Sequence, residues 1–323
     1  MEERKMLLTN SRRNVYGDCQ RKHYYRYELG YQSVRTAHAL YFGRMIHEAL
    51  EAWYLSDLGK ALNYLDKIIV TEWNVYDIVT CIELIKGYDI KYRNQDLEVI
   101  GIEKEFRVPL VNPETNRASQ NFDMAGKLDL LLANGILEHK STTKDISEGS
   151  EYWANLFLDP QISQYVIGGE SLNVNIETII YDVIRKPSIR PFKATPQEKR
   201  KYLKDGVTLI ASQHEHDEEP EAFGQRIKYI LDNDMDGYYV RKEIPRIQSQ
   251  LEDFKHDMWA VSQNIRQSQL HKRWPKNPRE CLRFGKCPYW GVCTHSEELT
   301  DTDVFEKLEF KHPELSEAIN EKL

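Results

Sequence analysis

Gly126–Lys140, read as Gly-Lys-Leu-Asp-Leu-Leu-Leu-Ala-Asn-Gly-Ile-Leu-Glu-His-Lys, constrains the fold of this chain more than any other stretch. Two apolar runs flank Asn134-Gly135, the dipeptide that favours a two-residue type I′ turn because both of its central residues must take positive φ. Such a turn sets the pairing. Ala133 then faces Ile136, Leu131 faces Glu138 and Asp129 faces Lys140, with Cβ atoms of facing pairs roughly 5 Å apart. Side chains alternate along a strand, so Asp129, Glu138 and Lys140 leave the same face, the two carboxylates as diagonal neighbours roughly 7–8 Å apart.

Two carboxylates so placed can grip one hard cation. Mg²⁺ takes oxygen ligands and keeps several waters, and a lysine beside it can orient or help deprotonate one of them. Phosphodiester hydrolysis needs that set of parts. The competing reading is an amphipathic hairpin with an exposed cross-strand ion pair worth well under about 1 kcal/mol. Leu128, Leu130, Leu131, Leu132, Ile136 and Leu137 occupy both faces, which suits strands buried on both sides, where unpaired charge is disfavoured.

The chain of 323 residues, 41% hydrophobic and 11% aromatic, is long enough for one large α/β domain or two ordinary ones with a packed core. No apolar run approaches the roughly 18 residues that span a bilayer, and the start, Met1-Glu2-Glu3-Arg4-Lys5, lacks the apolar stretch of a signal peptide, so a soluble, cytoplasmic protein without membrane contact is expected. A net charge of −7 argues against non-specific coating of nucleic acid, yet leaves room for local basic patches that engage a backbone. Three stand out: Arg185 to Lys204, His271 to Lys286, and Arg21-Lys22-His23-Tyr24-Tyr25-Arg26-Tyr27 with its interleaved aromatics. Each also reads as solvated surface, and the acidic run Glu215 to Glu221 shows that the surface carries both signs.

Cys281, Cys287 and Cys293 fall at C-x5-C-x5-C in a stretch punctuated by Pro278, Gly285, Pro288 and Gly291. Three thiolates are one short of a tetrahedral site. Cys19, near the other end of the chain, or His295 could complete it, and zinc and an iron-sulfur cluster both accept such ligands. A site closed by Cys19 would tie the chain ends together, the long-loop closure that stabilises most in simple chain-entropy models. A disulfide fits a reducing compartment less well. Cys81, among Ile78, Ile82, Ile85 and Tyr88, reads as a core thiol in a helix.

Apolar periodicity makes residues 1–95 a mainly helical N-terminal region, with a helix from about Ala39 to Tyr54 that places His47 on its buried stripe. There His47 is either a hydrogen-bonded core residue or a ligand. Residues 96–205 read as the α/β core: a strand over Val99–Leu110, the hairpin, a helix opened by Asp159-Pro160 on which Gln161 and Tyr165 share a face, and a strand over Val174–Ile184. Residues 206–323 read as a helical C-terminal region, with helices at Glu221–Leu231 and about Arg246–Leu270, ending at the cysteine triplet. The fold class is α/β, a central mixed sheet flanked by helices.

Taken together these pieces resemble the PD-(D/E)xK nuclease superfamily, and within it the RecB-type exonuclease domains that carry an iron-sulfur cluster. The elements occur in family order: Ser11 with Tyr16 and Cys19 before Arg21–Tyr27, Gly43-x-x-x-His47, Gly126-x-x-Asp129, Glu138-x-Lys140, Gln161-x-x-x-Tyr165, and the late cysteines. Leu128 stands where the family motif has its proline, a position that supplies no ligand. The resemblance implies a restriction-endonuclease-like core whose helical N- and C-terminal regions are joined by a cysteine-ligated cluster. It implies that His47, Asp129 and Glu138 hold Mg²⁺ or Mn²⁺ with the backbone carbonyl of His139, that Lys140 positions or activates the attacking water, and that Gln161 and Tyr165 line the site. It further implies a structural 4Fe-4S cluster on Cys19, Cys281, Cys287 and Cys293, with zinc as the alternative at the cysteines.

The expected activity is a metal-dependent deoxyribonuclease, an exonuclease on DNA ends or single strands in recombination, repair or processing. The alternative is a non-catalytic DNA-end-binding or recombination scaffold that retains the fold. The chain has no Gly-x-x-x-x-Gly-Lys-Ser/Thr loop, so a helicase motor would be a separate partner.

Overall fold

The structure, a computed structural model, describes residues 5–34, 38–71, 73–283 and 285–321; Met1–Arg4, read above for a leader, lie outside the described residues. Strand β1 (Met6–Leu8) and helices α1 (Asn10–Asp18) and α2 (Gln20–His23) run through a π-helical turn, Tyr24–Glu28, into β2 (Tyr31–Ser33). Helices α3 (His38–Leu55), α4 (Leu58–Asp66) and α5 (Val75–Tyr92) follow. Then come β3 (Val99–Val111), β4 (Ala118–Leu132), β5 (Gly135–Thr142), α6 (Glu151–Phe157), α7 (Pro160–Ser171) and β6 (Thr178–Arg185). The chain continues with α8 (Pro220–Asn233), α9 (Met235–Tyr238), β7 (Tyr239–Glu243), α10 (Gln248–His271), α11 (Trp290–Cys293) and β8 (Phe305–Lys307). Among the described residues no helix is long and apolar enough to cross a membrane.

The central sheet is mixed, in the order β1-β4-β5-β6-β7 with β3 on the other edge of β4. The β1–β4 and β5–β6 pairs are parallel and the remaining pairs antiparallel. Helices cover both faces. Ile184 of β6 packs against Phe42, Ile46 and Leu50 of α3, Ile85 and Tyr88 of α5, and Ile227 of α8, whereas Val183 beside it packs with Ile162, Tyr165 and Val166 of α7. The same alternation sends Leu131 and Ile136 toward α7 and Leu130, Leu132 and Leu137 toward Tyr54 of α3. All five leucines and isoleucines are buried. At roughly 1.5–3 kcal/mol for each fully buried side chain, that two-sided burial far outweighs any surface ion pair, so the exposed-hairpin reading fails.

The helices end within two or three residues of the sequence reading, because apolar stripe and caps agree; Asp159, for instance, accepts from the N–H of Gln161 with Pro160 at the first helical position. The strand expected from Val174 starts only at Thr178, since its first partner on β5 is Gly135, opposite Thr178. Four strands, β1 and β7 of the central sheet and the separately paired β2 and β8, have no counterpart in the sequence reading, being only three to five residues long.

The hairpin departs from its expected register. Leu132 faces Gly135, Leu131 faces Ile136 and Leu130 faces Leu137, so Ala133 and Asn134 form the turn, and neither takes positive φ. Gly135 is instead a close-approach residue: a Cβ there would come within 2.3 Å of the Thr178 carbonyl oxygen on β6. The parallel neighbour, not turn chemistry, sets the pairing. A shift of two residues leaves every side chain on its expected face, where a shift of one would have inverted them all.

Candidate active site

The site lies where β4 divides its partners. β3 pairs with one edge of β4, while β1, at Phe122–Met124, and β5, at Leu130–Leu132, share the other edge, so the segment Ala125–Asp129 faces a fork between them. Buried polar groups there must find other partners. Gln164 of α7, fully buried, donates to the Ala125 carbonyl at 2.7 Å and reaches the Leu8 carbonyl at 3.5 Å. Asp129 Oδ2 accepts the His139 main-chain N–H at 2.8 Å, so Asp129 and Lys140 are not the facing pair the sequence suggested. Gly126 opens the segment: a Cβ on it would lie 2.7 Å from the Phe106 ring and 3.4 Å from Tyr165.

Around the fork the anticipated side chains converge from three elements. His47 comes down from α3 with Nδ1 3.4 Å from Asp129 Oδ1. On β5, Glu138 Oε1 accepts from Lys140 Nζ at 2.8 Å, while Glu138 Oε2 is buried without a partner. Lys140 Nζ also donates to Gln161 Oε1 at 2.6 Å, and Gln161 Nε2 donates to the Tyr165 hydroxyl at 2.6 Å. Asp159, which caps α7, lies 3.9 Å from the same amine. The His139 side chain, alternating away from Glu138 and Lys140, is buried on the opposite face of the sheet.

The electrostatics follow from burial and neighbours. Burial works to raise the Asp129 carboxyl, but the adjacent His47 and the hydrogen bond from His139 outweigh it and hold the group below the usual carboxylate range. Glu138 goes the other way, pushed up by burial and by the charge of Asp129, with Lys140 offsetting only part. Burial opposes the charge on His47, yet Asp129 lifts it to about 9. Lys140 is likewise desolvated, but Glu138 and Asp159 raise it above an ordinary amine.

A cavity of about 680 Å³ opens beside Asp129 and His47, bordered by Glu103 and Lys127 and, toward the chain's first turn, by Lys22, Arg26 and Arg44. The aromatic residues interleaved with that basic run have another task. His23, Tyr25 and Tyr27 are buried, and His23 stacks on Trp274. The stretch Arg185–Lys204 is partly neutralised: Lys186 pairs with Asp77, Lys193 with Asp217 and Arg200 with Glu215. The acidic run thus faces the basic stretch.

The four late- and early-chain thiols occupy one neighbourhood. Asn277 bridges two of them, its N–H reaching Cys19 Sγ at 3.4 Å and its carbonyl lying 3.7 Å from Cys281 Sγ. The Cys287 N–H donates to the Cys281 carbonyl at 2.8 Å. Burial raises the Cys287 thiol, and nearby Cys281 and Cys19 raise it further; Cys293 also senses Cys19. All four are free and partly exposed, whereas Cys81 is fully buried in the α3–α5–α8 core, as its helical pattern suggested. His295 is exposed. Among the described residues no three His, Cys, Asp or Glu side chains stand close enough, as oriented, to hold a metal ion. At the fork, Glu138 Oε1 is engaged by Lys140.

Gln164 and the residues packed beneath His139 were not assigned to the site from sequence, and Asp159 was read only as the opening of a helix; Gln164 lies three positions after Gln161 on one helix, which was a local signal for it. Comparison with curated proteins finds no match. The sequence pattern of the PD-(D/E)XK nuclease superfamily, by contrast, matches residues 8–294, a span that includes β4 and β5, the histidine above the fork and all four clustered thiols. A mixed sheet split at an aspartate, with Glu-x-Lys on the departing strand, belongs to that match over most of the chain, and this protein is therefore a member of the PD-(D/E)XK nuclease superfamily.

Proposed function

We propose that this chain is a divalent-metal-dependent deoxyribonuclease that removes nucleotides from DNA ends or single strands during recombination, repair or processing. The observation that carries the reading is the buried, unpartnered Glu138 Oε2 within electrostatic reach of Asp129 and His47, at the fork in the sheet. An orphaned buried carboxylate oxygen is costly unless something pairs with it. The donor set of two carboxylates and an imidazole fits Mg²⁺ or Mn²⁺, held by His47, Asp129, Glu138 and the His139 carbonyl. When bound, the ion would polarise a phosphoryl oxygen and lower the pKa of a water.

The chain's own groups do the rest. Lys140, kept charged and fixed between Glu138 and Gln161, donates to the water or to a non-bridging phosphate oxygen. Tyr165 fixes Gln161. Lys22, Arg26 and Arg44 offer phosphate contacts along the cavity. Cys19, Cys281, Cys287 and Cys293 suit a 4Fe-4S cluster in kind and number, with zinc the alternative, and its work would be structural. A helicase or recombination protein would be a separate partner.

The test is cleavage of end-labelled linear DNA, single- and double-stranded, with each divalent ion. Asp129→Ala, Glu138→Ala and Lys140→Ala are expected to leave folded proteins with activity reduced at least about 100-fold. Full activity in any of the three overturns the assignment. Salt-sensitive DNA binding by the wild type with no hydrolysis under any metal would favour the scaffold instead.

A further inference from the structure

On the face of the sheet away from Glu138 and Lys140 lies a buried polar network that the proposed chemistry does not use. Asp182 of β6 is fully buried, and its Oδ2 accepts from the Tyr88 hydroxyl at 2.5 Å and from Arg241 at 3.2 Å. The same arm of Arg241 donates to the hydroxyls of Tyr54, at 2.8 Å, and Tyr88, at 2.7 Å, and its other arm to Gln95 at 2.7 Å. Against this network sits the His139 ring, 4% exposed, with Nδ1 3.3 Å from Asp182 Oδ2 and the Tyr54 ring 5.5 Å away. His139 and Asp182 are register partners on the parallel pair β5–β6, so their side chains rise from the sheet together.

Buried charge of this kind is a poor device for stability, since apolar residues of similar volume commonly serve as well or better. Its position suggests another purpose. The main-chain N–H of His139 holds Asp129 Oδ2, and it does so just past the last β4–β5 pair, where β5 is paired along its other edge by β6 alone. The ring is carried on the Cα bonded to that amide nitrogen, so anchoring the ring on one face limits how far the amide can shift within the sheet. Displacements of about half an ångström in such a group are enough to degrade a site.

We propose that Asp182, with Tyr88 and Arg241, forms a positioning set that clamps the His139 ring from the far face, so that the His139 amide keeps Asp129 aimed across the fork at His47. None of the three touches substrate. The inference rests on the metal-site reading above.

The experiment compares wild type with Tyr88→Phe, Asp182→Asn, His139→Phe and the His139→Phe/Asp182→Asn double variant. Mn²⁺ affinity is read without DNA by loss of the aquo-ion EPR signal, cleavage gives kcat and KM, and melting reports the fold. Asp77→Asn serves as the control, because Asp77 is also a buried carboxylate in an ion pair, with Lys186, but far from the fork in role. Asp182→Asn and Tyr88→Phe should weaken Mn²⁺ binding and lower kcat by about 10-fold each, with KM for DNA unchanged. The double variant should be no worse than its poorer parent, as expected of residues in one chain of contacts. Asp77→Asn should lose melting temperature and keep Mn²⁺ affinity.

Wild-type Mn²⁺ affinity in both Tyr88→Phe and Asp182→Asn overturns the proposal, as does additivity in the double variant. If Asp182→Asn fails to fold, Tyr88→Phe decides alone. A wild type that neither binds Mn²⁺ nor cleaves DNA overturns the underlying reading and this inference together; a wild type that does both, with indifferent variants, overturns only the inference.

Discussion

His47 carries the charge that Asp129 needs when no other cation is near, and its imidazole is lifted to about 9 as a result. Because the folded-state value lies above the unfolded one of about 6.5, the histidine's contribution to stability is complete below about pH 6.5 and is lost as pH rises through about 9. The gap in melting temperature between wild type and His47→Gln should therefore be widest near pH 6 and close by about pH 9.5. A pH-independent gap would contradict it. The same proton must leave before the imidazole can ligate a metal, so Mn²⁺ affinity should climb with pH across this interval and the climb should flatten in His47→Gln, as calorimetry in buffers of different ionisation enthalpy can measure. At this scale much was legible. Asp129, Glu138, Lys140, Gln161 and Tyr165 sit on the faces that two- and four-residue spacing assigned them, because those periods are local properties of strands and helices. Asp182, Arg241 and Tyr88 were not legible, because nothing along the chain announces that three distant residues meet around one imidazole.

Among the elements, the hairpin separates what a turn dictates from what a neighbour dictates. Asn134-Gly135 carries the composition of a type I′ turn, yet the glycine is required by the approach of β6 and the asparagine is not required at all for its φ. Gly135→Ala should cost about 1–3 kcal/mol in urea unfolding, the cost of forcing a methyl against the Thr178 backbone. Asn134→Ala should stay within about 0.5 kcal/mol, since it is the Asn134 carbonyl, not its side chain, that accepts the N–H groups of Glu177 and Thr178. Comparable losses for the two would restore the turn as the determinant. The faces survived the register shift because it moved by an even number of residues.

Over the whole molecule, residues 16–33 are tied to residues 268–307. Arg21 donates through its main-chain N–H to the Pro275 carbonyl at 3.0 Å and through Nε to the Trp274 carbonyl at 2.8 Å, the Tyr16 hydroxyl meets Ser268 Oγ at 3.1 Å, and β2 pairs antiparallel with β8. Cys19 stands inside this junction. If the four thiols hold a cluster, anaerobically purified wild type should be brown, and Cys19→Ser should lose the colour and melt several degrees lower, because opening the link releases a loop of most of the chain. A colourless, zinc-containing wild type would replace the cluster with the alternative, and an unaffected Cys19→Ser would remove Cys19 from the ligand set.

By itself the sequence determined which residues could share a face, which of the longer segments would be helix or strand, and which family the spacing resembled, because periodicity, caps and short motifs act within a few residues of the chain. Only the tertiary structure decided that β5 takes its register from β6, that a three-residue strand from the N-terminus closes the fork from the other side, that Glu138 rests on Lys140, and that a charged network backs His139. Each of those depends on contacts between residues far apart in the chain, whose pairing is chosen by the burial of whole surfaces and leaves no mark on local spacing.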